Sequence, residues 1–298
     1  MTTSEKEIFK INEDLTPIFN KLKEYFEEFS KDDFTDKDNE RMFLLLLKAT
    51  IVKSYEFSLA TISLRGENIF FMLPALRGIC EEHITEKFLF ETFPDIEERN
   101  FIVTVWQQHG ILKSSIAQWE YFKVKKSSQT LYYEDSFPDK LQNLESEIKK
   151  HFKRKLPTSN FKSTFPTVHY MAKATELLEL YNYLYHATST FVHFHPQNLF
   201  RMGWGNIPEC QFSTSHFKHY YNYFLIYYGA LLFCELIEWQ VRNGYLIGFD
   251  SDSIKPIREI LNGISRSPEL VTFEEMNIGV LSRHLFYKSP GMVSNGVE

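Results

Sequence analysis

Residues 177–205, LLELYNYLYHATSTFVHFHPQNLFRMGWG, open as a helix that is apolar enough to be buried. Yet Tyr185, His186, Ser189, His193 and His195 all fall within eleven positions of it. At about 100° per residue, Tyr185 and Ser189 lie about 40° apart and His193 about 40° further round. A buried helix carrying those groups must find them partners, because an unpaired buried donor or acceptor costs roughly 1–3 kcal/mol.

The expected partner is residues 73–91, LPALRGICEEHITEKFLFE, a second apolar helix that holds Arg77 and Glu81 one turn apart. Leu73, Leu76, Ile79, Cys80, Ile84, Phe88 and Leu89 cover much of its surface, so the ion pair is expected to be at least partly buried. A carboxylate among such neighbours needs compensation. Arg77 supplies it and keeps donors to spare, since a guanidinium has five N–H groups and one carboxylate uses two at best. The expectation is one polar pocket in which Arg77 and Glu81 point toward Tyr185, Ser189 and His193. As chemistry, His193 would move a proton, Arg77 would clamp a phosphate, and Glu81 and Tyr185 would orient them. As architecture, the same five residues would be a structural polar core.

The rest of the chain reads as packing around these two helices. Of 298 residues, 43% are hydrophobic and 24% charged, which excludes a disordered chain. Only 12 Gly and 11 Pro leave few breakers, and 28 Phe with 16 Tyr fill the core with rings. A net charge of −6 gives no overall field for nucleic acid. Cys80, Cys210 and Cys234 form no CxxC pair, which points to a reducing, cytoplasmic setting. No secretory signal opens the chain. Residues 220–234, YYNYFLIYYGALLFC, carry no charge, but a membrane span needs about 20 residues and a buried core helix is expected.

Apolar residues recurring at three and four predict helices over 4–30, 37–65, 68–92, 95–123, 138–155, 171–193, 216–243 and 253–262. Pro74 either kinks the third or marks its true start, Gly66 ends the second, and Thr214 or Ser215 caps the seventh. The prediction is an all-α fold, a single multi-helix bundle of six to eight helices. A short irregular or hairpin segment falls around 196–213. Residues 1–36 form an N-terminal helix, 37–245 the core bundle with 68–92 and 171–193 at its centre, and 246–298 a short helix and tail.

The same stretches hold other constellations. Arg77 and His83 form R-x5-H, which is similar to the R-x4–6-H of the HEPN ribonucleases, helical proteins of toxin and defence systems. That resemblance implies metal-independent RNA cleavage. On one continuous helix, however, six residues set the two side chains about 240° apart, so the chemistry needs a distorted helix or a site shared across a dimer. His186, His193, His195, His216 and His219 offer imidazoles, but no carboxylate or Cys falls into a ligand rhythm, and neither metal nor cofactor is expected. Walker A, G-x-S-x-G and G-x-G-x-x-G are missing. The basic stretches at 123–126 and 149–155 read as solvated helix ends.

With these residues in view, the chain resembles a prokaryotic all-helical family of unknown function. It has an R-x3-E helix, here PALRGICEEH with Arg77 and Glu81, and a later Y-x3-S-x3-H helix, here Tyr185, Ser189 and His193 in YHATSTFVHFHP. The resemblance covers roughly 40–240, and departs from the pattern at His186 and at His195-Pro196. It implies an effector of a defence, antiviral or toxin-like system. The expected partners are RNA or a nucleotide, a protein of the same operon and a second copy of the chain, with no membrane. Two readings stand at this point, a ribonuclease and a non-enzymatic binding or regulatory module.

Overall fold

The computed structural model describes residues 3–32, 41–64, 68–125, 128–157, 162–193, 202–204, 211–246 and 248–270. Gly66, His195 and Cys210 lie outside them. The fold is all-α, with ten α-helices among the described residues. They are α1 (Thr3–Lys21), α2 (Lys23–Phe29), α3 (Met42–Leu64), α4 (Leu73–Thr92) and α5 (Ile96–Lys125). Then come α6 (Phe137–Lys155), α7 (Val168–Ala174), α8 (Leu178–Val192), α9 (Lys218–Arg242) and α10 (Lys255–Asn262). The expected hairpin is present as β1 (Gly203–Trp204) and β2 (Gln211–Phe212), antiparallel with Gly203 opposite Phe212. The helices outnumber the expected six to eight because 4–30 divides at Leu22 and 171–193 divides at Thr175–Leu177. Pro74 marks a start: a 3₁₀ turn over Ile69–Met72 leads into α4, where Pro74 is the second residue and its missing N–H costs nothing.

The chain forms two compact units, Met1–Ser30 with Thr50–Glu81 and Leu180–Glu298, and Lys31–Ala49 with Glu82–Glu179. In the first, the centre is α9 and not either of the two helices expected there. Between Tyr220 and Cys234 it carries no charge on any side, the pattern of a helix segment enclosed all round. Leu225, Leu232, Phe233, Cys234 and Ile237 are fully buried in it. Ile11, Leu15 and Phe19 of α1, Phe26 of α2, Ile51 and Tyr55 of α3, and Ile257 and Leu261 of α10 share its core. Phe26 stacks on Tyr55 at 4.4 Å, and the Tyr55 hydroxyl donates to the Phe19 carbonyl at 3.1 Å. Gly229 admits a close approach: a Cβ there would meet Phe57 Cε1 at 2.9 Å. Arg258 of α10 grips α9 through Glu235 (2.7 Å) and both oxygens of Glu238 (2.7 and 2.8 Å). By length and composition α9 is long and apolar enough to cross a membrane, and most of its apolar stretch is buried inside the protein.

Neither Thr214 nor Ser215 caps α9. Its N-cap is Phe217 in the left-handed region at φ 60°, with no side-chain bond. The other end follows the sequence: Gly244 at φ 76° turns the chain, and the Tyr245 N–H donates to the Gln240 carbonyl at 2.9 Å.

In the second unit α5 and α6 pack antiparallel, with Phe152 and His151 of α6 against Phe93 and with His109 Nε2 3.1 Å from Glu145 Oε1. Asn100 Oδ1 accepts from the Phe43 N–H at 2.9 Å and so caps the first turn of α3. Arg99 is only 6% exposed, with its guanidinium carbon 5.0 Å from the Phe43 ring centroid and 4.9 Å from that of Phe90. The break before α8 also lies here. Glu176 takes φ 60°, the Leu177 N–H reaches back to the Ala172 carbonyl at 2.9 Å, and Lys87 Nζ donates to the Thr175 carbonyl at 2.9 Å. These bonds satisfy the last carbonyls of α7, and they offset a left-handed residue that no glycine announced.

Candidate functional site

In the first unit α4 and α8 run antiparallel past each other. Phe70, just before α4, meets Phe191 edge-on at 5.1 Å, and one helical stretch further Arg77 meets Tyr185. Further still, the charge of Glu81 bears on the Tyr181 hydroxyl. This pairing builds a compact cluster. Arg77 Nε donates to Glu81 Oε1 at 2.7 Å, and the guanidinium carbon stands 4.2 Å from the centroid of the Tyr185 ring. Tyr181 and Tyr185, one turn apart, have ring centroids separated by 5.5 Å.

The ion pair is half-buried, with side-chain exposures of 21% for Arg77 and 26% for Glu81. Burial disfavours the guanidinium charge, but the hydrogen bond and charge of Glu81 outweigh it and hold the Arg77 pKa above its ordinary value. Burial, then the Glu81 charge, raise the Tyr181 hydroxyl above its usual range. The same two causes push the Cys80 thiol up to about 12, so that thiol is no nucleophile. Among the described residues, the Nε–Glu81 bond is the hydrogen bond Arg77 makes. Four of the five guanidinium N–H groups then have no partner among the described residues.

Arg77, Glu81 and Tyr185 therefore come together, and Ser189 and His193 stand further along. Because Phe191 pairs with Phe70, Ser189 lies about 6 Å and His193 about 12 Å along the α8 axis from Tyr185. His193 follows the last helical residue and is exposed, and its N–H donates to the Ser189 carbonyl at 3.0 Å. His186 is exposed on the other side of the helix from the cluster's core contacts, its ring edge-on to Tyr185 at 5.7 Å. Tyr181 was missed in the sequence, although its spacing of four from Tyr185 puts it on the same face.

The R-x5-H pair does not assemble on this helix. α4 runs unbroken through Arg77 and His83, so the two side chains leave it about 120° apart by the shorter way. His83 is 4% exposed, and burial followed by the charge of Lys87 lowers its pKa to about 4. Among the described residues no group of three or more His, Cys, Asp or Glu is placed to hold a metal ion. The basic end of α6 is partly neutralised, with Lys155 2.5 Å and Arg154 3.6 Å from Glu98.

No curated protein and no solved structure matches the chain. One family does, and the matched stretch contains both the R-x3-E and the Y-x3-S-x3-H helices: residues 72–206 match DUF5677, a family of unknown function.

Proposed function

We propose that this chain is a non-enzymatic binding or regulatory module in which Arg77 anchors the phosphate of its ligand. The observation that carries the reading is the state of its guanidinium. Glu81 fixes one edge at 2.7 Å and the Tyr185 ring lies 4.2 Å from the guanidinium carbon, while the remaining N–H groups have no hydrogen-bond partner among the described residues and the side chain is half-buried. A planar fork held in that way is pre-organised for a carboxylate or phosphate and loses little freedom on binding.

The ribonuclease reading needs an imidazole within reach of Arg77. His83 is enclosed and on another face of the helix, and His193 is displaced along α8, so the arrangement favours recognition over acid–base chemistry. The cytoplasmic, defence-related setting and a partner protein from the same operon belong to this proposal through the family resemblance.

The test uses the full chain with inorganic phosphate, a nucleotide panel and end-labelled mixed-sequence RNA, each with and without EDTA. The binding reading expects RNA to stay intact. It expects at least one phosphate-bearing probe to raise the melting temperature of the wild type and of His193→Ala but not of Arg77→Lys. A probe at a hundred times its Kd adds about 2.7 kcal/mol of stability. RNA cleavage that disappears in His193→Ala overturns the proposal in favour of the nuclease, and a wild type that responds to no probe overturns it outright.

A further inference from the structure

The second half of α5 carries a face that is exposed among the described residues. One side of the helix is occupied: His109 meets Glu145 of α6, and Trp119 stacks on Tyr133 at 4.4 Å. At about 100° per residue, Gly110, Ser114, Ala117 and Tyr121 fall on the opposite side, with Val124 at its edge. All five are exposed. Tyr121 is 60% exposed, Val124 79% and Ile111, at the other edge, 48%. Their spacing alternates four and three residues, the period of a helix–helix seam. Gly110 sharpens the point. A glycine inside a helix is destabilising relative to alanine, and a Cβ at Gly110 would meet nothing within 4 Å, so packing among the described residues gives no reason for it.

We infer that this face is a homodimer interface, in which α5 of a second copy packs antiparallel across a two-fold axis near Ala117. The face is complementary to itself under that operation. The axis sets Gly110 opposite the second copy's Val124 and brings Ser114 opposite its Tyr121, small side chains against large ones, while Ala117 meets Ala117 at the close approach. Charge agrees with size. Lys113 and Glu120 flank the seam, both are exposed, and among the described residues neither has an ion-pair partner within the chain. The same axis lays each Lys113 beside the second copy's Glu120, twice by symmetry, as an isologous contact requires. A parallel pairing instead carries both residues of the second copy to the opposite flank of the seam, so it offers Lys113 and Glu120 no such contact.

Sedimentation equilibrium of the full chain over a concentration series tests this. The wild type is expected to approach twice its 35.4 kDa mass, and Ala117→Arg to stay at 35.4 kDa with unchanged helicity and a melting temperature that no longer rises with concentration. Lys113→Glu and Glu120→Lys each weaken association by several-fold, and the double variant restores it. For the direction of pairing, Ala117→Cys is oxidised and run on a non-reducing gel. It forms a covalent dimer, whereas Gly110→Cys, on the seam but opposite the second copy's Val124, does not exceed wild type; a parallel pairing would cross-link both. A wild type that remains at 35.4 kDa throughout overturns the proposal. So does a dimer that survives Ala117→Arg, or a double charge reversal that fails to restore association.

Discussion

Arg77 stands with its guanidinium carbon 4.2 Å from the centroid of the Tyr185 ring while its Nε is held by Glu81 at 2.7 Å. The relationship ties α4 to α8 and fixes the register of the two helices at the candidate site. A cation over an aromatic face is worth about 0.5–1 kcal/mol where solvent still reaches it. Tyr185→Leu is therefore expected to cost about that much beyond its lost area, and Tyr185→Phe to cost little, because the ring face is retained. A double-mutant cycle with Arg77→Met, read by urea unfolding, measures the coupling. Additive effects of the two substitutions would show that the contact contributes nothing.

Two glycines in helix interiors are expected to respond in opposite directions to alanine. At Gly229 a Cβ would sit 2.9 Å from Phe57 Cε1 and 3.2 Å from its Cδ1, so Phe57 must move inside a packed core. Gly229→Ala should destabilise the protein by about 1–3 kcal/mol. At Gly78 nothing lies within 4 Å, and Gly78→Ala should stabilise it by about 0.5–1 kcal/mol, since alanine loses less backbone freedom on folding. Thermal unfolding of the two variants beside the wild type gives the signs directly. Equal signs would contradict the packing described for α3 against α9.

His83 predicts a pH dependence. Its folded pKa, about 4, lies below the ordinary 6.5, so between these values the unfolded chain binds the extra proton. Stability gained from keeping the imidazole neutral is thus fully present above about 6.5 and declines as pH falls toward 4. By pH 5 the loss relative to pH 8 is about 2 kcal/mol. Denaturant unfolding at the two pH values checks it against His83→Leu, which is less stable at pH 8 but lacks this part of the slope. An unchanged slope in the variant would mean that other groups set the acid sensitivity.

Much of the fold was already legible in the residues. Apolar side chains at three and four placed nearly every helix, Pro74 marked the start of α4, and Asn243-Gly244 marked the end of α9. The pair Arg77–Glu81 and its partner Tyr185 were legible too, because an ionic pair on a largely apolar helix demands compensation nearby. What periodicity does not carry is the choice of which apolar helix lies at the centre. Both 171–193 and 216–243 are rich in aromatic residues, and only the second shares its core with α1, α2, α3 and α10.

The sequence by itself determined which residues share a helix face, since that follows from the 100° step alone. Tyr185, Ser189 and His193 do advance round α8 as the spacing requires. The tertiary structure decided how far along a partner helix each of them falls. With Phe70 against Phe191, the antiparallel register spends the available reach of Arg77 on Tyr185 and leaves His193 two turns beyond. It likewise decided that α7 and α8 are separate, because the left-handed turn at Glu176 is held by the Lys87–Thr175 bond, a contact between residues far apart in the chain. Local geometry is written in neighbouring residues, whereas register and such breaks come from contacts that only the folded chain brings together.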